Sequence, residues 1–321
     1  MAPGRMTRES VHVLALLAPG QGSQSPGMLT PWLAVADARD TLARWSELTG
    51  LDLVHLGTEA DAEEIKDTAV TQPLVVALAL LAFAELERQV PLPDDLVVAG
   101  HSVGELAAAA MAGVLSPDDA VALAAVRGRE MAAACALEPT GMAAVMGGDP
   151  DEVVEWLAGF DLTAANRNGA GQIVAAGPVD ALDKIVEAEQ RPATKVIKLK
   201  VAGAFHTRYM SPARDAMEQR ARDIRVADPV RTLLSNADGQ VVRTGDEVLT
   251  RLVAQVTSPV RWDACMTTMA TTGVDAIVEL PPAGTLTGLA KRELKGTPTV
   301  ALKVPADVAK VAELNQNRSG S

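Results

Sequence analysis

Gly100-His101-Ser102-Val103-Gly104 sets a serine two places from a glycine on either side. In this G-x-S-x-G arrangement the glycines let a strand and a helix approach closely, while the sharp turn between them holds the serine hydroxyl exposed at the helix start. Free backbone N–H groups and the helix dipole can stabilise an oxyanion there. The context fits, since the β-compatible Leu96-Val97-Val98-Ala99-Gly100 precedes the turn and an Ala-rich helix former, Glu105 to Gly113, follows it. The chemistry implied is nucleophilic catalysis by serine; the plain alternative is a serine that caps a helix in a glycine-rich turn.

A serine hydroxyl is a poor nucleophile until a base takes its proton. Of the four histidines, His12 precedes the first apolar run and His55 falls in an apparent loop. His101 is expected to point away from the nucleophile, because side chains alternate around the turn. His206, in Gly203-Ala204-Phe205-His206-Thr207, lies where the chain returns from an inserted unit and can face Ser102 from that junction; a structural histidine is the equal alternative. Arg127 follows Ala124-Ala125-Val126 in a largely apolar helix segment. A guanidinium among small apolar residues must be paired, either with a structural Asp or Glu or with a substrate carboxylate gripped by its planar fork. Gly20-Gln21-Gly22-Ser23-Gln24 lacks the last glycine of a dinucleotide loop and the Lys-Ser/Thr of a phosphate loop. Gln21 can instead offer a backbone N–H as a second oxyanion donor, with a simple turn as the alternative.

The elements that must carry these residues follow from pattern. Val13 to Ala18 is a buried strand ending at Pro19-Gly20. Pro73 to Ala84 is a core helix, short of the ~18 apolar residues a membrane span needs. Ser116 caps a helix opened by Pro117, Asp118 and Asp119 and running to about Ala136. Beyond Gly141 the pattern reads strand 142–146, helix 150–159, strand 162–166, an Asn168-Gly169 turn, strand 172–176, helix 179–190 and strand 194–200. That β-α-β-β-α-β order is a ferredoxin-like unit of ~65 residues inserted between α/β segments. Strands at Thr232 to Ser235 and Ala276 to Leu280, the latter stopped by Pro281-Pro282, complete a parallel sheet.

With 321 residues, 48 % apolar and 22 % charged, the chain has globular usage and room for one large core plus a second unit. A net charge of −12 and few aromatic residues exclude nucleic acid as a partner. Cys135 and Cys265 have neither metal-ligand spacing nor a disulfide framework and read as buried thiols. Arg5 and Arg8 before Val11 to Ala18 faintly imitate a signal peptide, but the run leads into a Gly-rich turn, so a first core strand is expected. Asn315 to Ser321 reads as a polar tail.

PGQGSQ in the first loop, GHSVGE at the elbow, RGREM from Arg127, GAFHT at the junction and the late QVTSPVRW together resemble malonyl-coenzyme A:acyl carrier protein transacylases, over about residues 11–305. The resemblance implies Ser102 as nucleophile, His206 as general base and acid, and the backbone N–H groups of Gln21 and Val103 as oxyanion hole. It implies that Arg127 binds the free malonyl carboxylate and that the main-chain carbonyl of Gln255 orients the histidine. Met131, Asn166 and Phe205 match positions near the acyl pocket, and a bulky residue before the histidine resembles the malonyl-selective form. The implied fold is an α/β, hydrolase-like parallel-sheet core, 11–137 and 204–305, with an inserted ferredoxin-like subdomain, 138–203, and a C-terminal tail, 306–321.

The implied partners are malonyl-coenzyme A and an acyl carrier protein, in fatty-acid or polyketide synthesis, with no metal or other cofactor. The chain is expected to be a cytoplasmic monomer that binds neither membrane nor nucleic acid. Carrier proteins are typically acidic, so this acidic chain needs a local basic patch, for which Arg167, Lys195, Lys198, Lys200 and Arg208 flank the inserted unit. A serine hydrolase or thioesterase would share the elbow without explaining Arg127, and a noncatalytic carrier-docking module would need neither Ser102 nor His206.

Overall fold

The computed structural model describes residues 12–93 and 95–319, so Arg5, Arg8 and Val11 lie outside it. Eleven strands are assigned among the described residues: β1 (Val13–Ala18), β2 (Val97–Gly100), β3 (Thr140–Met146), β4 (Thr163–Gly169), β5 (Gln172–Pro178), β6 (Lys195–Lys198), β7 (Thr232–Leu234), β8 (Val241–Val242), β9 (Val260–Arg261), β10 (Val274–Glu279) and β11 (Thr299–Ala301).

A six-stranded sheet runs β11-β10-β1-β2-β7-β8. Its first five strands are parallel, and β8 is an antiparallel edge, so the expected parallel sheet gains one reversed strand. Both faces are covered: Leu14, Leu16 and Val98 face one apolar cluster, while Ala15, Leu17 and Val97 face another. Burial on both sides is why these strands read as continuous apolar runs without alternation.

A second sheet runs β6-β3-β5-β4-β9. Its first four strands are antiparallel and come from the β-α-β-β-α-β segment. Here side chains do alternate between faces. Ala143, Val145, Ile173 and Ala175 pack beneath the helices Pro150–Ala158 and Val179–Glu187, whereas Met142, Val174 and Ala176 face the main core. β9 comes from later in the chain and pairs parallel with β4, Asn166 opposite Val260.

Several local expectations shift. Asn168 and Gly169 belong to β4, and the hairpin turns at Ala170-Gly171, both at positive φ (49° and 70°). A two-residue hairpin with that twist needs positive φ at both central positions, and the buried Asn168 side chain is held within the strand by His101 and Gln172. His55 is in the short helix Leu53–Thr58, whose cap Asp52 accepts the His55 N–H at 3.0 Å. Cys265 is buried but Cys135 only partly so. The expected tail is the helix Val308–Ser319, anchored by buried Val308 and Val311.

The helix Thr68–Gln89 starts earlier and ends later than its apolar stretch, because Asp67 caps it by accepting the Ala69 N–H at 2.8 Å. By length and composition it could cross a membrane, yet 83 % of its most apolar window is buried inside this fold. It packs on the helix Pro117–Cys135, whose cap Ser116 accepts the Asp119 N–H at 3.0 Å. Close packing of the two helices depends on Gly128, where an added Cβ would lie 2.7 Å from the Thr68 carbonyl oxygen and 3.2 Å from Gln72 Cβ. Gly128→Ala is therefore expected to destabilise the chain by about 1–3 kcal/mol, as overpacking does. Chemical denaturation checks this, and native stability in the variant would show that the helix contact yields freely.

Candidate active site

The strand-turn-helix that carries Ser102 is made tight by its glycines. A Cβ on Gly100 would fall 2.0 Å from the Gly104 carbonyl oxygen, and one on Gly104 would fall 2.3 Å from that of Ala18. Ser102 itself has φ 54°, a left-handed conformation costly for a residue with a side chain and concentrated at functional sites. The helix Gly104–Met111 begins directly behind it with Val103 at its cap, and the Gly104, Glu105 and Leu106 N–H groups turn back onto the carbonyls of His101, Ser102 and Val103 at 3.0, 2.9 and 3.1 Å.

His206 enters from the junction after the second sheet and also has positive φ, 61°. Its Nε2 lies 2.7 Å from Ser102 Oγ, and its Nδ1 lies 2.8 Å from the Gln255 carbonyl oxygen. With Nδ1–H donating to that carbonyl, Nε2 is left as the acceptor for the serine proton. Burial, and then the neighbouring Arg127 charge, push the imidazole down to about 3. It is neutral, as a base must be.

Arg127 is 1 % exposed and forms no ion pair among the described residues. Its Nη1 donates to Gln72 Oε1 at 2.7 Å, and its Nη2 donates to Gln255 Oε1 at 2.9 Å and to Ser102 Oγ at 3.2 Å. Neutral amides thus hold the guanidinium where a structural Asp or Glu was one expectation. Burial lowers it to about 10, which leaves it charged at neutral pH. The second Nη1 hydrogen and the Nε–H have no protein acceptor among the described residues, so two donors of a charged group remain open beside Ser102.

These groups meet at a cavity of about 830 Å³ between the two sheets, whose lining includes Gln21, Met131, Asn166 and Phe205 as well as Ser102 and Arg127. Val103 and Gln255 are buried behind its wall. The Gln21 side chain donates to Thr68 Oγ1 at 3.1 Å, which ties the first loop to the helix that carries Gln72. His101 lines the cavity but is turned from Ser102, with its Nε2 2.9 Å from Asn168 Oδ1 and its ring edge-on to Trp262 at 5.6 Å.

Asn236 and Glu105 were not foreseen. Asn236 Oδ1 accepts the Ser102 N–H at 2.8 Å while its Nδ2 donates to the Gly100 carbonyl at 2.8 Å, so one carboxamide clasps both sides of the elbow. Its place just past β7, at the carboxyl end of a parallel strand, is the signal that marks it, because sites gather there. Glu105 accepts the Asn236 N–H at 2.9 Å. Of the cations flanking the second sheet, Lys198 pairs with Asp183, Arg208 with Asp161 and Arg167 with Asp151, whereas Lys200 lines the cavity.

The chain is similar to known proteins over almost its whole length. A malonyl CoA-acyl carrier protein transacylase of Mycobacterium tuberculosis is 58 % identical over 304 residues, which cover 94 % of this chain and 100 % of that protein. The crystal structure of MCAT from the same organism superposes with a TM-score of 0.91 at 57 % identity, over 94 % of this chain and 100 % of that one. A malonyl-transacylase solved with a type II polyketide-synthase acyl-carrier protein, PlMCAT:AntF, gives a TM-score of 0.87 at 28 % identity, covering 95 % and 100 % of the two chains. Residues 16–318 match the acyl transferase domain, and the chain belongs to that family.

Proposed function

We propose that this chain transfers the malonyl group from malonyl-coenzyme A to the phosphopantetheine thiol of an acyl carrier protein, for fatty-acid or polyketide synthesis. The observation that carries the reading is the pairing of Ser102 Oγ with His206 Nε2 at 2.7 Å, beside a buried guanidinium 3.2 Å from the same oxygen. His206 takes the serine proton as Oγ attacks the thioester carbon. The developing oxyanion lies against the backbone N–H groups of Val103 and Gln21. Collapse expels the coenzyme A thiolate, which takes the proton from His206 and leaves malonyl-Ser102. The carrier thiol then repeats the sequence in reverse, with His206 again as base and then as acid to the serine oxygen.

Throughout, Arg127 holds the malonate carboxylate, a role suited to a fork whose charge is balanced without a direct counter-ion. Met131 and Asn166 shape the acyl pocket, and Phe205 limits its width. The cycle uses no cofactor, because nucleophile, base and anion receptor are all side chains of this chain. Action as a cytoplasmic monomer belongs to the same reading, and two free cysteines suit that compartment. The strand order β6-β3-β5-β4 supports a ferredoxin-like subdomain at 138–203, inserted in a hydrolase-like core of 11–137 and 204–305.

Incubation with malonyl-coenzyme A and acid quenching should leave one malonyl ester, mapped by mass spectrometry to the peptide containing Ser102. No adduct, or an adduct elsewhere, removes the mechanism, and rapid loss of the ester to water with no carrier present would mark a hydrolase. His206→Ala should slow acylation roughly 10²–10⁴-fold.

The low basicity of His206 sets the sign of the pH dependence. A base with its pKa near 3 is already neutral at pH 5, so stopped-flow coenzyme A release should show no acid limb near the free-imidazole value. A limb centred near pH 6.5 would mean that burial does not depress His206. By linkage, the neutral buried imidazole contributes stability above pH 6.5 that is lost as pH falls from there towards about 3.

Phe205 is buried and lines the cavity. With the carboxylate fixed by Arg127 and the carbonyl fixed at the oxyanion site, the carbon between them cannot retreat from a phenyl ring. Methylmalonyl-coenzyme A should be disfavoured by roughly ten- to two-hundredfold, the usual worth of one methyl, and Phe205→Ser should relax this. Competition of the two thioesters in one tube decides, since equal native transfer or an unchanged ratio in the variant would remove Phe205 from selectivity.

A further inference from the structure

Glu105 has no part in the cycle above, yet its carboxylate is 4 % exposed and lies one amide away from Arg127. Its Oε1 accepts the Asn236 N–H at 2.9 Å, and its Oε2 accepts from the Gln255 side-chain amide. The same Gln255 Nε2 donates to the Ser102 carbonyl at 3.0 Å, while Gln255 Oε1 accepts from Arg127 at 2.9 Å. A carboxamide has two ends of opposite sense. Turned over, Gln255 would set its NH₂ against the guanidinium hydrogens and its oxygen against both a carboxylate and a carbonyl, so that like would face like at each end.

We propose that Glu105 is a positioning residue for acyl selectivity: by accepting from the Gln255 side-chain amide, it holds Gln255 Oε1 on Arg127 and so fixes the guanidinium at the acyl pocket. The arrangement needs an acceptor at both Glu105 oxygens. A glutamine there has one oxygen and one NH₂, so either the Asn236 N–H or Gln255 Nε2 would face a donor.

The geometry also explains why the counter-charge stands off. Burial raises Glu105 to about 7 and lowers Arg127 to about 10, so each charge is costly to hold in this interior. A direct ion pair would relieve both but would occupy the hydrogens that a substrate carboxylate needs. Behind an amide, Glu105 can balance the guanidinium as it ionises around pH 7 and still leave those hydrogens free.

This inference rests on Arg127 as the malonyl receptor, and the test separates the two ideas. Transfer of malonyl and of acetyl from their coenzyme A thioesters to carrier protein is measured as kcat/KM in the native chain, Glu105→Gln, Gln255→Met, Arg127→Ala and Glu105→Gln/Arg127→Ala. Arg127→Ala sets the floor of the malonyl-to-acetyl ratio. Glu105→Gln should lower that ratio at least roughly tenfold, the worth of one hydrogen bond to a charged group, and should add no further loss in the Arg127→Ala background. If Arg127→Ala leaves the ratio unchanged, the receptor reading falls and this inference falls with it. If Arg127→Ala lowers the ratio but Glu105→Gln leaves it native, including by slowing both transfers equally, the receptor reading stands and Glu105 is scaffold only. A further loss of the ratio in the double variant also overturns the inference, since Glu105 would then act apart from Arg127. Should Glu105→Gln fail to fold, Gln255→Met reads the same ratio, since it removes Oε1 while keeping the main-chain carbonyl on His206. A native ratio there overturns the proposed route through Gln255.

Discussion

Arg127 carries a positive charge while only 1 % exposed, with one guanidinium nitrogen 3.2 Å from the Ser102 hydroxyl. A guanidinium left alone in such a place is costly, and one locked to a carboxylate is of little use to an anionic ligand. The fold resolves this with two glutamines. Gln72 is brought within reach because Gly128 lets its helix approach. Gln255 is brought within reach because the turn Gln255–Thr257 follows the helix Gly245–Ala254 and faces the elbow. Burial first, and then the same positive charge, keep the His206 imidazole neutral, so the guanidinium bears on the histidine as well as on the cavity.

Gln255 joins the parts. Its main chain sets the imidazole tautomer, its Oε1 steadies the guanidinium, and its Nε2 reaches the carbonyl of the nucleophile's own residue. Asn236 performs the matching task on the other side of Ser102. The positive φ at Ser102 and at His206 is held by this surrounding mesh of buried amides, in keeping with strain that persists only where neighbours over-determine it.

What could be read in the sequence was what local chemistry dictates. The elbow, the capped helix after Ser116 and the order of strands around 140–200 depend on neighbours a few places away, and periodicity and turn residues record those. Ser102 was legible for that reason, and His206 only as a residue at a junction. For Arg127 and Gln21 the residues offered a binding role beside a structural one and the resemblance chose between them, whereas the role of Gln255 came from the resemblance alone. Asn236 was not legible, because its partner lies 134 residues earlier and nothing local distinguishes a clasping asparagine from a turn asparagine. The same ambiguity misplaced the hairpin turn at Asn168, whose side chain is spoken for by His101 and Gln172. His101 turns to Asn168 and leaves Ser102 to His206, although it lines the same cavity.

The short strand β9 has a mechanical consequence. Only four residues separate Gln255 from Val260, yet Val260 is paired into the second sheet opposite Asn166. The second sheet is therefore not a lid that can swing while Ser102 and His206 stand still, since any rotation would pull on the segment whose Gln255 carbonyl meets His206. Anyone exchanging the unit between relatives to alter acyl choice would have to move two pieces of chain, 138–203 and 255–261, because a graft of the first alone would mate a foreign edge to the native β9 and disturb the histidine from behind.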